Sequence, residues 1–209
     1  MNQSSYWDDF YSQGINLEPS GFATWLQTYI DLESFEIFDW GCGNGRDGLF
    51  LSQFAAKVTM LDSSSKAISV INDVIDRKGI TNSIAHVFDV NYSNNYAVLN
   101  KGEILHYARF FLHAIDDSGL TNFLHRLKEI SNMSKRSLAV FEYRIEEDSE
   151  DLYYIYGNHS RWLRAPSTVV QQMFDWGWEL KFEDIGKGLA VFKDENPLIA
   201  RQVFEYSLT

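Results

Sequence analysis

Phe35-Glu36-Ile37-Phe38-Asp39-Trp40-Gly41-Cys42-Gly43-Asn44-Gly45 is the stretch that decides the fold. Its first five residues are apolar and aromatic enough to read as a buried strand, and three alternating glycines follow at once. Glycine adopts backbone angles closed to other residues and lets the main chain come close to a ligand. A strand running straight into such a turn, with helical periodicity beyond it, is the opening unit of a parallel sheet covered by helices.

Outward from that turn the pattern repeats. A helix is expected from about Gly45 to Ala55, with Leu49, Phe50 and Phe54 facing the sheet. Val58–Asp62 reads as the second strand, and Ser64 as the N-cap of a helix carrying Ile68, Ile71 and Ile75, with Gly79 just past its end. Further strands are expected at Ala85–Phe88, Ile104–Ala108 and Leu138–Tyr143, with a helix between the last two that turns Leu120, Phe123, Leu124, Leu127 and Ile130 to one side. Pro166 starts another helix, with Val169, Val170, Met173 and Phe174 inward. Trp178–Ile185 and Ile199–Tyr206 complete seven strands, the last two as an antiparallel pair. The fold class is therefore α/β, a doubly wound, mostly parallel sheet in one domain spanning residues 1–209. Residues 1–33 form a helical cap carrying Tyr6, Trp7, Phe10, Tyr11 and Trp25. Residues 145–165, rich in charge and tyrosine and without clear periodicity, form an insertion or lid at the sheet edge.

Composition narrows the partners. The formal net charge of −11 repels phosphate backbones and anionic bilayers, so neither nucleic acid nor membrane is the expected partner. A small-molecule or carbohydrate partner fits better. The chain has one cysteine, Cys42, and neither an apolar run of membrane-spanning length nor a signal-peptide pattern at its start, which points to the cytoplasm. No cluster of Cys, His and acids has metal-ligand spacing, so no metal is expected.

Three carboxylates fall where strands end. Asp62 closes the second strand about 20 residues beyond the first glycine, the separation at which an acid bonds ribose hydroxyls in nucleotide sites. Asp39 stands before the glycines and suits a cation better than a pyrophosphate. Asp89 follows the third strand, in reach of an adenine amino group. Arg46 occupies the place where a nicotinamide fingerprint has its last glycine, which weighs against an NAD-dependent oxidoreductase.

With these residues in place the chain resembles the class I S-adenosylmethionine (SAM)-dependent methyltransferases. Their acid-x-Gly-x-Gly-x-Gly motif is Asp39–Gly45 here, and the likeness runs from Phe35 to Tyr206. The resemblance implies SAM as cofactor, contacted by Asp39, Gly41, Cys42, Gly43 and Gly45, by Asp62 and Ser63, by Asp89 and Val90, and by Ala108 and Arg109. Arg109–Ile115, Phe141–Arg144, Gly188–Ala190 and Asn196–Arg201 look like a bacterial subgroup associated with polysaccharide or glycan biosynthesis. Where a more basic His-Tyr-Arg-Arg run is expected, this chain has His159-Ser160-Arg161-Trp162.

The implied reaction is methyl transfer, with O-methylation the leading expectation. His113 and Glu142 are the catalytic candidates, His113 as general base toward an acceptor hydroxyl or as a histidine that merely packs in the pocket. Arg144, His159, Arg161 and Arg164 are expected to grip an anionic sugar or sugar phosphate, or else to pair with the acids of 146–151. A SAM- or S-adenosylhomocysteine-binding protein without catalysis is the alternative.

Overall fold

The structure, a computed structural model, describes residues 18–91, 102–145, 152–156, 159–192 and 195–207, the side chains of 152–156, 159 and 160 excepted. Nine strands and five helices are present among them. They are α1 (Gly21–Tyr29), β1 (Phe35–Trp40), α2 (Arg46–Leu51), β2 (Lys57–Asp62), α3 (Ser65–Lys78), β3 (Ser83–Val87), β4 (Glu103–Arg109), α4 (Asp117–Ser131), β5 (Arg136–Arg144), β6 (Leu152–Tyr156), β7 (His159–Leu163), α5 (Pro166–Asp175), β8 (Trp178–Gly186) and β9 (Ile199–Tyr206). Seven strands form one sheet in the order β3-β2-β1-β4-β5-β9-β8. The first five are parallel, and β9 runs antiparallel to both its neighbours. The order reverses direction between β1 and β4, the switch point at which such sheets bind ligands beyond their carboxyl ends.

Strand alternation divides the core in two. Phe38, Trp40, Ile104, Ala108, Ala139 and Phe141 pack with α4 and α5 on one face. Phe35, Ile37, Leu105, Tyr107, Leu138 and Val140 pack with α1, α2 and α3 on the other. Residues in step with the second set, namely Asp39, Arg109, Glu142 and Arg201, therefore share that face. On the opposite face His106 is fully buried. Its Nδ1 accepts the Trp40 indole N–H at 3.3 Å and its Nε2 lies 3.2 Å from the Ser131 hydroxyl.

The helix signals act locally as their chemistry requires. Ser64 Oγ accepts the N–H of Ala67, and Gly79 ends α3 in the left-handed conformation. Two helix faces differ from expectation. α2 stops at Leu51 and buries Asp47, Gly48 and Leu51, leaving Leu49, Phe50 and Phe54 half-buried. Phe174 on α5 is 69% exposed, while Val169 and Met173 face inward. Between residues 145 and 165 the chain forms a hairpin, β6 with β7, pairing Tyr156 with His159 and Leu152 with Leu163. Tyr6, Trp7, Phe10 and Tyr11 lie outside the described residues. No helix among the described residues is long and apolar enough to cross a membrane.

Candidate functional site

The carboxyl ends of β1 to β5 share one edge of the sheet. The glycine loop there is held by backbone bonds: the N–H groups of Gly41 and Cys42 both donate to the Leu61 carbonyl, at 2.8 and 3.0 Å. Gly45 has φ +75°, and a Cβ on it would stand 2.7 Å from Ile71. Gly41 has φ +67°, and a Cβ there would stand 2.5 Å from Phe111. Both positions thus require glycine for conformation and for packing beneath the loop.

Asp62 pins the loop from below. Its Oδ2 accepts the N–H of Gly43 and its Oδ1 that of Ser64, each at 2.9 Å. Ser63 is half-buried beside it. Asp89 is also half-buried, with Oδ1 accepting the N–H of Asn91 at 2.9 Å, and Val90 packs against the core next to it. Cys42 is half-buried, and burial together with Asp62 and Asp39 pushes its thiol pKa up.

Asp39 is the next-to-last residue of β1, just before the glycine loop. Strand alternation turns it under α2, where its Oδ2 is buried without a hydrogen-bond partner. Desolvation, then the neighbouring Asp47 and Asp62, raise its pKa well above the usual carboxylate range. The carboxyl is a buried acid below the loop.

The far side of the switch point is an ion ladder across three strands. Arg109, Glu142 and Arg201 are register partners on β4, β5 and β9. Arg109 Nε donates to Glu142 Oε1 at 2.9 Å and Arg201 Nε donates to Oε2 at 2.8 Å. Glu142 is 0% exposed, and burial raises its pKa against the pull of both arginines. Beside it Phe110 has φ +56°, with its N–H on the Glu142 carbonyl at 2.7 Å. A left-handed phenylalanine is strained backbone held by its surroundings. The guanidinium carbons of Arg109 and Arg144 lie 4.2 and 5.4 Å from the Phe110 ring centroid.

Two expected roles change on these contacts. Both oxygens of Glu142 are engaged by arginine, so the carboxylate is held in place. His113 is buried, and its Nδ1 accepts the backbone N–H of Arg144 at 3.3 Å. That bond leaves the ring proton on Nε2 and makes the other nitrogen a donor. Arg164 departs from the expected anion cluster altogether. It is buried, giving hydrogen bonds to the Leu112 and Ile115 carbonyls at 3.3 and 2.9 Å and to Asp117 at 2.7 Å, and so ties the end of β7 to the turn after β4. Arg144 pairs with Glu195, whose pKa is held down by Arg144 first and by Arg161 as well. The His159 side chain lies outside the described residues.

A family model described as tellurite resistance protein TehB matches residues 6–147. The chain belongs to the TehB family. No curated protein matches it in sequence. Among solved structures, this TehB-family chain is similar to one described for the conversion of a disulfide bond into a thioacetal group during echinomycin biosynthesis, at TM-score 0.72 and 17% identity over 98% of this chain and 93% of that one. An S-adenosylmethionine-dependent methyltransferase from Clostridium acetobutylicum aligns at TM-score 0.68 and 11% identity, over 97% of each chain. The glycopeptide N-methyltransferase MtfA complexed with SAM aligns at 0.65 and 12%, over 89% and 94%. The TehB-family chain thus has the SAM-dependent methyltransferase fold.

The residues at this edge fit such a donor. Asp62 stands next to the loop, and Arg46 lies 3.8 Å from Asp47. A carboxylate at the loop, Asp62, with Asp47 buried beneath it, favours a sulfonium over a pyrophosphate. When bound, SAM supplies a methyl group already activated for displacement.

Asp47 itself escaped the sequence reading, as did Ser20, Tyr107 and Arg201. Asp47 accepts the Ser20 N–H and hydroxyl, each at 2.7 Å, and the Tyr107 hydroxyl at 2.8 Å. It thereby joins α1, α2 and β4 directly beneath the loop. The signal was an acid one residue into a helix on its buried face, followed by an apolar strand holding a tyrosine; only the fold reveals that they meet.

Proposed function

We propose that this chain transfers the methyl group of SAM to a small-molecule or carbohydrate acceptor whose attacking oxygen is already negatively charged: a sugar acid, a sugar phosphate or a comparable oxyanion. The observation that carries the reading is the engagement of both candidate bases. Glu142 is paired with two arginines and His113 Nδ1 already accepts the Arg144 N–H, so the site is suited to an acceptor that need not lose a proton. Arg144 and Arg161 then favour its charge, with His113 in the turn beside them.

In the transfer the oxygen's lone pair forms the O–CH3 bond while the C–S bond breaks, its electrons passing to sulfur. No proton moves. The likeness of Arg109–Ile115 and Asn196–Arg201 to glycan-modifying enzymes supports a carbohydrate acceptor in polysaccharide biosynthesis, in the cytoplasm. The family's description adds tellurite, itself an oxyanion, to the candidates.

Methyl-labelled SAM offered with galacturonate, a hexose 1-phosphate and tellurite, alongside neutral sugars and amines, tests the proposal. Label is expected in an anionic acceptor. Transfer only to neutral alcohols or amines contradicts it. Binding of S-adenosylhomocysteine without transfer to any acceptor favours the non-catalytic reading instead.

A further inference from the structure

Arg144 already holds an anion that belongs to the chain. Its guanidinium is hydrogen-bonded to the Glu195 carboxylate, and the charge of Arg161 acts on the same group. The loop between β8 and β9 that carries Glu195 is tied along its length. Gly188 donates its N–H to Asn196 Oδ1 at 2.6 Å, and Arg201 Nη2 donates to the Leu189 carbonyl at 2.7 Å. Phe192 and Glu195 exchange two backbone hydrogen bonds at 3.0 and 2.9 Å, and the Leu198 carbonyl accepts the N–H of Ile145 at 3.1 Å. These bonds fix the backbone of Glu195 near the end of β5, where Arg144 is the register partner of Ile199.

The two members of the pair are not held alike. The Arg144 side chain is 21% exposed, its backbone N–H is on His113, and its guanidinium lies against the Phe110 ring. The Glu195 side chain is 56% exposed. The cation is therefore the fixed member, and the carboxylate is the one that can turn out into water. A pair this exposed is held by little free energy, so an incoming anion can take the carboxylate's place. A neutral acceptor offers the guanidinium nothing in exchange.

We infer that Glu195 is a specificity-determining residue, an internal counter-anion that occupies the Arg144 guanidinium until the anionic group of the acceptor replaces it. The inference rests on the anionic-acceptor reading above and names the group that such an acceptor displaces. Glu195 touches no reacting atom and acts through Arg144.

Calorimetric titration with galacturonate, with glucose 1-phosphate and, as neutral control, with methyl galactoside tests it, each in the presence of excess S-adenosylhomocysteine. Glu195→Gln keeps the size of the side chain and removes its charge. It binds the anion that the wild type binds about two- to fivefold more tightly, the range for an exposed ion pair, and leaves methyl galactoside unchanged. Arg144→Gln weakens the anion, and in that background Glu195→Gln brings no further gain, because the pair is already broken. Should Arg144→Gln not fold, the wild-type and Glu195→Gln titrations decide. An anion that binds Glu195→Gln no more tightly than the wild type overturns the displacement while leaving the anionic-acceptor reading intact. So does a gain that methyl galactoside shares, or one that persists in the Arg144→Gln background. Failure of both proteins to bind either anion, or a preference of both for methyl galactoside, overturns the two readings together.

Discussion

Gly43 and Asp62 are joined by a 2.9 Å hydrogen bond in which the N–H in the middle of the glycine loop donates to a carboxylate at the end of the neighbouring strand. The acid that would hold the ribose therefore also shapes the loop that passes over the donor. Asp62→Ala removes both functions at once. Weakening of SAM by about 2–4 kcal/mol is expected, more than one ribose contact supplies, because two backbone N–H groups lose their partner as well. Asp62→Asn keeps one acceptor oxygen and should fall between; calorimetric titration with S-adenosylhomocysteine measures the series.

Asp47 is expected to matter to the fold more than its surface-type residue class implies. Asp47→Ala strands the Ser20 N–H and hydroxyl and the Tyr107 hydroxyl in a buried setting. A loss on the order of 3 kcal/mol in unfolding free energy follows. Chemical denaturation of the ligand-free chain checks it, and Asp47→Asn should recover part of the loss.

His106 makes stability depend on pH in a stated direction. Burial lowers its pKa from 6.5 to about 3. Above the unfolded value both states hold a neutral imidazole and the residue contributes no slope. As pH falls below it, the unfolded chain takes up a proton that the folded chain refuses, and stability drops by up to about 1.4 kcal/mol per pH unit until the folded value is reached. Asp39 and Glu142, whose pKa values are raised, act in the opposite sense. Comparing melting curves of the wild type and His106→Phe between pH 7 and 5 isolates the histidine: the variant should show the shallower loss.

Cys42 is expected to be a poor nucleophile. Burial and two nearby carboxylates push its thiol pKa up, so the thiolate is scarce at neutral pH. Alkylation by iodoacetamide should run well below the rate of a free cysteine and rise on denaturation, as read by mass spectrometry over time.

The seven strands were legible because each sheet strand couples an apolar run to turn chemistry at its end, as at Asp39–Gly45 and Asp62–Ser64. The hairpin of β6 and β7 was less visible, since tyrosines and charges blur its alternation; the Gly157-Asn158 pair between Tyr156 and His159 was the available hairpin signal. The phase of α2 was misjudged because Asp47 takes an inward position that patterning reserves for apolar residues, and it can do so only because Ser20 and Tyr107 satisfy it. Phe174 shows the converse, an apolar residue left outside. The site divides along the same line. Loop and strand-end acids follow from local spacing, whereas the partners of Glu142, Arg164 and Arg201 are set by strand order, which no single segment encodes.

Titration of the purified chain with S-adenosylhomocysteine and, separately, with NAD tests the central claim, that this edge of the sheet binds SAM as methyl donor. Saturable binding of S-adenosylhomocysteine that is lost on Asp62→Ala, with no binding of NAD, is the expected result. Saturable binding of NAD without binding of S-adenosylhomocysteine would contradict it.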